Sequence, residues 1–276
     1  MRGPVLFRVA HLKEYVLLLR LNKPIGILLL MWPTLWGLWL AADGLPPWPV
    51  LLVFVAGVVL MRSAGCAVND YADRHIDKHV ERTRERPLAT GRIAPSEALF
   101  VAAALAAVAS LITLPLGTKV VLMSLPAAFL AASYPFTKRF FAFPQAYLGI
   151  AFGFAIPMAA VAVLGEVPAV FWVLFGANVC WTVAYDTEYA LVDKPDDLKL
   201  NIKTAAITLG RFDVLGIVLC YAACLVLWAV VAHMAQLGMA FWLGWLVAWC
   251  LAVYHYTLIR HRNRAGCFKA FLHNNW

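Results

Sequence analysis

The sequence predicts an all-α fold, a polytopic bundle of transmembrane helices, and three observations predict it. Hydrophobic residues make up 63% of the chain and charged residues 14%, against about 25% charged in soluble domains. The apolar residues gather into eight long stretches, each close to the ~20 residues that cross ~30 Å of hydrocarbon. Lys and Arg, finally, fall on alternate connections between those stretches.

The first span, 25–42, follows a basic segment carrying Arg8, Lys13, Arg20 and Lys23. No Ala-x-Ala cleavage site comes after it, so it reads as an uncleaved anchor and not a signal peptide. The second span, 48–68, runs directly into an acidic cluster. The third and fourth, 97–114 and 118–134, are joined at Pro115. The fifth is 145–164, and the sixth, 168–185, runs into a second acidic cluster. The seventh and eighth are 212–232 and 238–258. Pro33, Pro126 and Pro157 fall within spans, where packed neighbours, Ser or Thr side chains and water can satisfy the backbone groups they free. After the eighth span, a tail from Arg260 to Trp276 reads as the lead-in to another helix. No change of composition divides the chain, which reads as one domain over 1–276.

The net charge of +8 does not indicate nucleic-acid binding. Nearly every Lys and Arg lies before span one, after span eight, or between spans two and three, four and five, and six and seven. The opposite face holds Lys119. The basic face is the cytoplasmic one by the positive-inside rule. The six cysteines form no Cys-x-x-Cys pair, all but Cys267 lie in the spans, and they read as buried small apolar residues.

Ten of the fifteen Asp and Glu residues lie within 70–85 or 186–197. Asp70, Asp73 and Asp77 are spaced so that a continuing helix would place them on one face, beside the neutral oxygen of Asn69. Asp186, Asp193 and Asp197 share a face by the same argument. Pro195 is expected to interrupt that helix or to open a new one. Asp186 is expected to be the most buried of the three, with Asp196 and Glu188 solvated. Three Asp at the bilayer centre would cost roughly 8–10 kcal/mol, so each cluster belongs at the membrane edge or in a wet, cation-loaded cavity. Oxygen donors of this kind suit Mg²⁺, which retains waters and substrate phosphates. Two acidic faces on one side of the membrane match a metal clamp on a diphosphate.

Lys138 and Arg139 end span four and are placed to reach a phosphate from the membrane edge. Much of the remaining basic charge (Lys78, Arg82, Arg84, Arg86, Lys194, Lys199 and Lys203) is accounted for by topology alone. Arg62 lies within span two, two turns before Asn69. An intramembrane Arg is a functional-site hypothesis by default. It would bind the carboxylate of a second substrate or, alternatively, form a buried structural ion pair. His75 and His79 lack a third soft ligand in reach and read as loop residues.

With these residues in view, the chain resembles the UbiA superfamily of intramembrane prenyltransferases. Asn69-Asp70-x-x-Asp73-x-x-x-Asp77 is similar to its first motif, and the Asp186, Asp193, Asp197 series to its second. Met61-Arg62-Ser63-Ala64-Gly65-Cys66, Arg86-Pro87-Leu88 with Gly91, Tyr134-Pro135-x-x-Lys138-Arg139, Tyr185-Asp186-Thr187-x-Tyr189-Ala190, and Arg20-Leu21-Asn22-Lys23-Pro24-Ile25-Gly26 resemble its 4-hydroxybenzoate polyprenyltransferase branch.

The resemblance implies a central cavity open to lipid and capped by cytoplasmic loops, in a bacterial or mitochondrial inner membrane. It implies nine transmembrane helices, one more than the eight stretches found here. The implied reaction is Mg²⁺-dependent transfer of a polyprenyl chain from polyprenyl diphosphate to the carbon of 4-hydroxybenzoate ortho to its hydroxyl, a step of ubiquinone synthesis. Asn69, Asp70, Asp73, Asp77, Asp193 and Asp197 would hold the metal. Arg62, Lys138, Arg139, Tyr134, Asn22 and Lys23 would bind the substrates, with Arg62 and Asp186 acting in catalysis. A prenyltransferase with another acceptor is the nearest rival. An ion-coupled transporter fits less well, because the acids lie at one membrane edge and not on broken midplane helices.

Overall fold

A computed structural model describes residues 7–200 and 202–275. Trp276, the last residue of the tail, lies outside them. Twelve α-helices are present among the described residues: α1 (Leu12–Leu18), α2 (Ile25–Ala42), α3 (Trp48–Asp73), α4 (Pro95–Thr113), α5 (Thr118–Thr137), α6 (Pro144–Gly153), α7 (Ala155–Leu164), α8 (Ala169–Lys199), α9 (Ala205–Thr208), α10 (Asp213–Met234), α11 (Met239–Ile259) and α12 (Arg264–His273). Eight segments are long and apolar enough to cross a membrane: α2, α3, α4 with its 3₁₀ extension, α5, α6 with α7, α8, α10 with the turn before it, and α11. The eight expected spans are all present, and the chain is an integral membrane protein.

The differences from expectation have local causes. The fifth span breaks at Phe154 into α6 and α7. Pro157 cannot donate a hydrogen bond to the carbonyl of Gly153, and Gly153 lets the Phe175 ring of α8 approach where a Cβ would stand 2.8 Å from it. The tail forms α12, a helix of ten residues, too short to cross the hydrocarbon layer. Cys66, Cys224 and Cys267 are buried, but Cys250 is exposed on α11.

α3 and α8 are the two longest helices, and both run past their apolar stretches into the acidic clusters. Pro195 neither interrupts α8 nor opens a new helix; the helix continues through it to Lys199. α3 does end, at Asp73, so Asp77 is not on a continuing helix but opens a short 3₁₀ turn. The 74–92 connection is packed into the body. Leu88 and Ile93 are buried against Ala64 and Ala67 of α3, Ala98 of α4 and Leu18 of α1. The amino-terminal segment is held by Glu97, which accepts hydrogen bonds from the Tyr15 hydroxyl at 2.6 Å and from the backbone N–H of Ala94.

Glu188 corrects the expectation of a solvated side chain, since it is fully buried. Its Oε2 accepts a hydrogen bond from Asn274 Nδ2 at 3.0 Å, and His255 Nδ1 lies 3.3 Å from Oε1. Asn274 Oδ1 in turn accepts from Trp181 Nε1 and from the Tyr221 hydroxyl. Asp196, also expected to be solvated, pairs with Arg264, which also holds Glu81 of the 74–92 connection. α12 is thereby fastened to α8. Asn274→Ala leaves Trp181 Nε1 without its partner and takes one hydrogen bond each from Glu188 and Tyr221, which keep His255, and is expected to cost about 1–3 kcal/mol, measured as a lowered Tm in detergent. An unchanged Tm would show that the network adds nothing to stability.

Candidate active site

Arg62, Cys66, Asn69, Asp70 and Asp73 lie on successive turns of one face of α3 and line a cavity of about 1240 Å³. Asp186, Asp193 and Asp197 of α8 line the same cavity, as do Asp77, Asn22, Lys23, Tyr134, Lys138 and Arg139. Every residue assigned a site role from the sequence therefore borders one space. Leu29, Thr34, Phe54, Val58, Ala109 and Met158 continue its wall into the apolar interior.

The two acidic clusters meet through side chains of the connections between helices. Arg82, in the connection after the first cluster, donates to Asp193 of the second through Nε and Nη2, the shorter contact being 2.5 Å. Its guanidinium also lies 4.5 Å from the centroid of the Tyr189 ring. Asp70 is 1% exposed and receives both Arg20 Nη2, at 2.7 and 2.8 Å, and Arg86 Nη1, at 2.9 Å. The same Arg86 nitrogen reaches Asp77 at 2.9 Å. Lys138 Nζ lies 3.3 Å from Asp73. Arg139 is exposed and donates to the Ala72 carbonyl at the end of α3. Asn22 and Lys23 are exposed at the rim. Lys194 faces away, bonded to Asp213 and the Gly210 carbonyl.

Charge neutralisation is visible in the titration of the connecting residues. Burial opposes the charge of Arg86, but Asp70 and Asp77 outweigh it and hold its pKa above the usual arginine range. Burial likewise opposes the charge of Lys138, and Asp73, Tyr134 and Asp186 together outweigh it. For Asp77 burial wins: it pushes the carboxyl pKa up, with Asp70 and Asp73 adding to the rise and Arg86 pulling against it.

Asp197, and not Asp186, is the buried member of the second series, at 8% exposure, and its carbonyl accepts from the Ile202 N–H. Among the described residues, neither Asp186 nor Asp197 makes a side-chain ion pair or hydrogen bond, and Asn69 makes none either. Arg62 has no carboxylate within ion-pair distance among them. It donates instead to the Gly26 carbonyl and to Cys66 Sγ. His75 and His79 are exposed, as expected of loop residues.

The donor set suits a hard cation, being carboxylate and amide oxygens around one cavity. No three His, Cys, Asp or Glu side chains among the described residues converge into a closed cage. That spread fits Mg²⁺, which takes one or two carboxylates and completes its shell with waters and phosphate oxygens. Sequence reasoning gave Arg20 no site role, since its distance of fifty residues from Asp70 gives no local signal, and it left Arg82 and Arg86 among flanking basic residues of which topology explains a large share.

Arg86 supports a prediction with a definite sign. Asp77 has its pKa raised by folding, so its contribution to stability is present at low pH and is lost as pH rises through the folded value. Arg86 pulls that pKa down, and removing it steepens the loss. Arg86→Ala is expected to approach the ~3–5 kcal/mol cost of a broken buried pair, with a Tm deficit larger at about pH 8 than at about pH 5. A deficit independent of pH would mean that Arg86 acts through packing alone.

Comparison with known proteins accords with this geometry. The model of the UbiA prenyltransferase family matches residues 30–276. A 4-hydroxybenzoate octaprenyltransferase of Azoarcus sp. (strain BH72) is 64% identical over 266 residues, covering 96% of this chain and 93% of the relative. That of Aromatoleum aromaticum is 62% identical, covering 97% and 91%. Among solved structures, a UbiA homolog from Aeropyrum pernix K1 superposes with a TM-score of 0.80 at 24% identity, over 98% of this chain and 96% of that one. A UbiA homolog from Archaeoglobus fulgidus bound to GPP and Mg²⁺ gives 0.74 at 18%, over 95% and 98%. Motifs, fold and cavity agree with the family match, and the chain belongs to the UbiA prenyltransferase family.

Proposed function

We propose that this chain, a single domain over 1–276, transfers a polyprenyl group from polyprenyl diphosphate to 4-hydroxybenzoate. Transfer is to the ring carbon ortho to the hydroxyl, depends on Mg²⁺, and serves ubiquinone synthesis. One observation carries the reading: two acidic clusters border one cavity, with Arg62 deeper on the same face of α3. The acceptor is supported by the relatives, which are 4-hydroxybenzoate octaprenyltransferases. The metal and the diphosphate are supported by the Archaeoglobus fulgidus homolog bound to GPP and Mg²⁺. The cavity opens laterally to lipid and is capped at the cytoplasmic face by the basic connections, in a bacterial inner membrane.

Asn69, Asp70, Asp73, Asp77, Asp193 and Asp197 would hold the metal, which when bound would supply Lewis-acid neutralisation of the diphosphate oxygens. Lys138 and Arg139 add positive charge where the leaving group develops its own, and Asn22, Lys23 and Tyr134 complete the mouth of the site. The allylic C–O bond breaks with its electron pair going to the diphosphate. The apolar walls then keep water from the allylic cation. Arg62 holds the acceptor carboxylate, and the ring carbon ortho to the hydroxyl supplies the electrons of the new C–C bond. Asp186, at the cavity wall, takes the ring proton and so restores aromaticity.

Asp73→Ala and Asp193→Ala are each expected to lower transfer of radiolabelled 4-hydroxybenzoate by about a hundredfold or more, in protein that still inserts into the membrane. Wild-type rates in either would contradict the metal role. Arg62→Ala is expected to raise the KM for 4-hydroxybenzoate about ten- to a hundredfold and to leave the diphosphate KM nearly unchanged. Equal effects on both would reject the carboxylate assignment.

A further inference from the structure

A guanidinium within a membrane span is costly, and among the described residues Arg62 has no carboxylate within ion-pair distance, Asp186 acting on it only from farther across the cavity. Its Nε donates to the Gly26 carbonyl at 3.2 Å, its Nη1 donates to Cys66 Sγ at 3.0 Å, and its Cζ lies 5.8 Å from the centroid of the Phe152 ring. A guanidinium carries five N–H groups. Two are engaged, and the rest are left for a ligand in the cavity that Arg62 lines.

Gly26 sets where those free groups point. A Cβ at residue 26 would stand 2.6 Å from Arg62 Nη2, 2.8 Å from Nε and 3.0 Å from Cζ. All three atoms belong to the one guanidinium. Gly37, farther along α2, is different: a Cβ there would meet the backbone of Ile156 at 3.0 Å, so that glycine serves helix packing. Gly26 lies in the first turn of α2, where Ala is a better helix former, and the clash falls on the tip of a flexible side chain. Replacing it would displace the guanidinium and leave the helix intact.

We propose that Gly26 is a positioning residue for acceptor recognition, its bare Cα and carbonyl fixing the Arg62 guanidinium in the plane that receives the acceptor carboxylate. The inference rests on the reading of Arg62 given under the proposed function. Cys66 supports the guanidinium from the neighbouring turn of α3.

The test is steady-state kinetics with 4-hydroxybenzoate and polyprenyl diphosphate on Gly26→Ala, Arg62→Ala and the double variant. Gly26→Ala is expected to raise the KM for 4-hydroxybenzoate about fivefold or more, with the diphosphate KM within about twofold and Tm unchanged. In the Arg62→Ala background it is expected to add nothing, because the group it moves is gone. Cys66→Ala is expected to shift the same KM in the same direction. An unchanged acceptor KM in Gly26→Ala, an equal rise in both KM values, a lowered Tm, or a full additional effect without Arg62 would each overturn the proposal while leaving Arg62 in its role. If Arg62→Ala itself shows no selective effect on the acceptor, the carboxylate reading is lost and the positioning role with it.

Discussion

Carboxylates massed at the ends of two membrane helices repel one another unless cations sit among them, and the rest of the structure depends on meeting that constraint. Two unit charges 4 Å apart interact by about 4 kcal/mol at an effective dielectric near 20, so several such pairs outweigh most local preferences. Here the neutralising groups come from separate parts of the chain. Arg20 arrives from the segment before α2, Arg82 and Arg86 from the connection after α3, and Lys138 from the end of α5. Each ion pair ties its own segment to an acid that lines the cavity. The acids that form the candidate metal site thus also hold these segments together.

Depth along α3 orders the chemistry. Asp73, Asp70 and Asn69 stand toward the basic face, Cys66 one turn deeper, and Arg62 one turn beyond that. A diphosphate at the acidic rim and a carboxylate at Arg62 would bring the two reacting carbons together between them. The apolar wall from Leu29 to Met158 gives the prenyl tail a surface of its own kind and keeps water from the reacting carbon.

Much of this was legible in the sequence because it follows from local patterns. Spans declare themselves by length and hydropathy, and the acids stand out against an apolar background, as does Arg62. What sequence did not show depends on distant partners. Glu188 has the look of a solvated carboxylate until Asn274 and His255 are folded against it. Arg20, Arg82 and Arg86 are indistinguishable from topology signals until their acids are known. Asp77 shares a helical spacing with Asp70 and Asp73, yet α3 stops first; Arg86 brings Asp77 back to Asp70 by bonding both. Pro195 suggests a break that the rest of α8 overrides.

The most direct test is a structure of the full chain with Mg²⁺ and an unreactive prenyl thiodiphosphate. This account predicts phosphorus and metal density between the carboxylates of α3 and those of α8, with the prenyl tail leading into the apolar cavity. Diphosphate density that touched neither acidic series, or one series alone with no metal reaching the other, would contradict it.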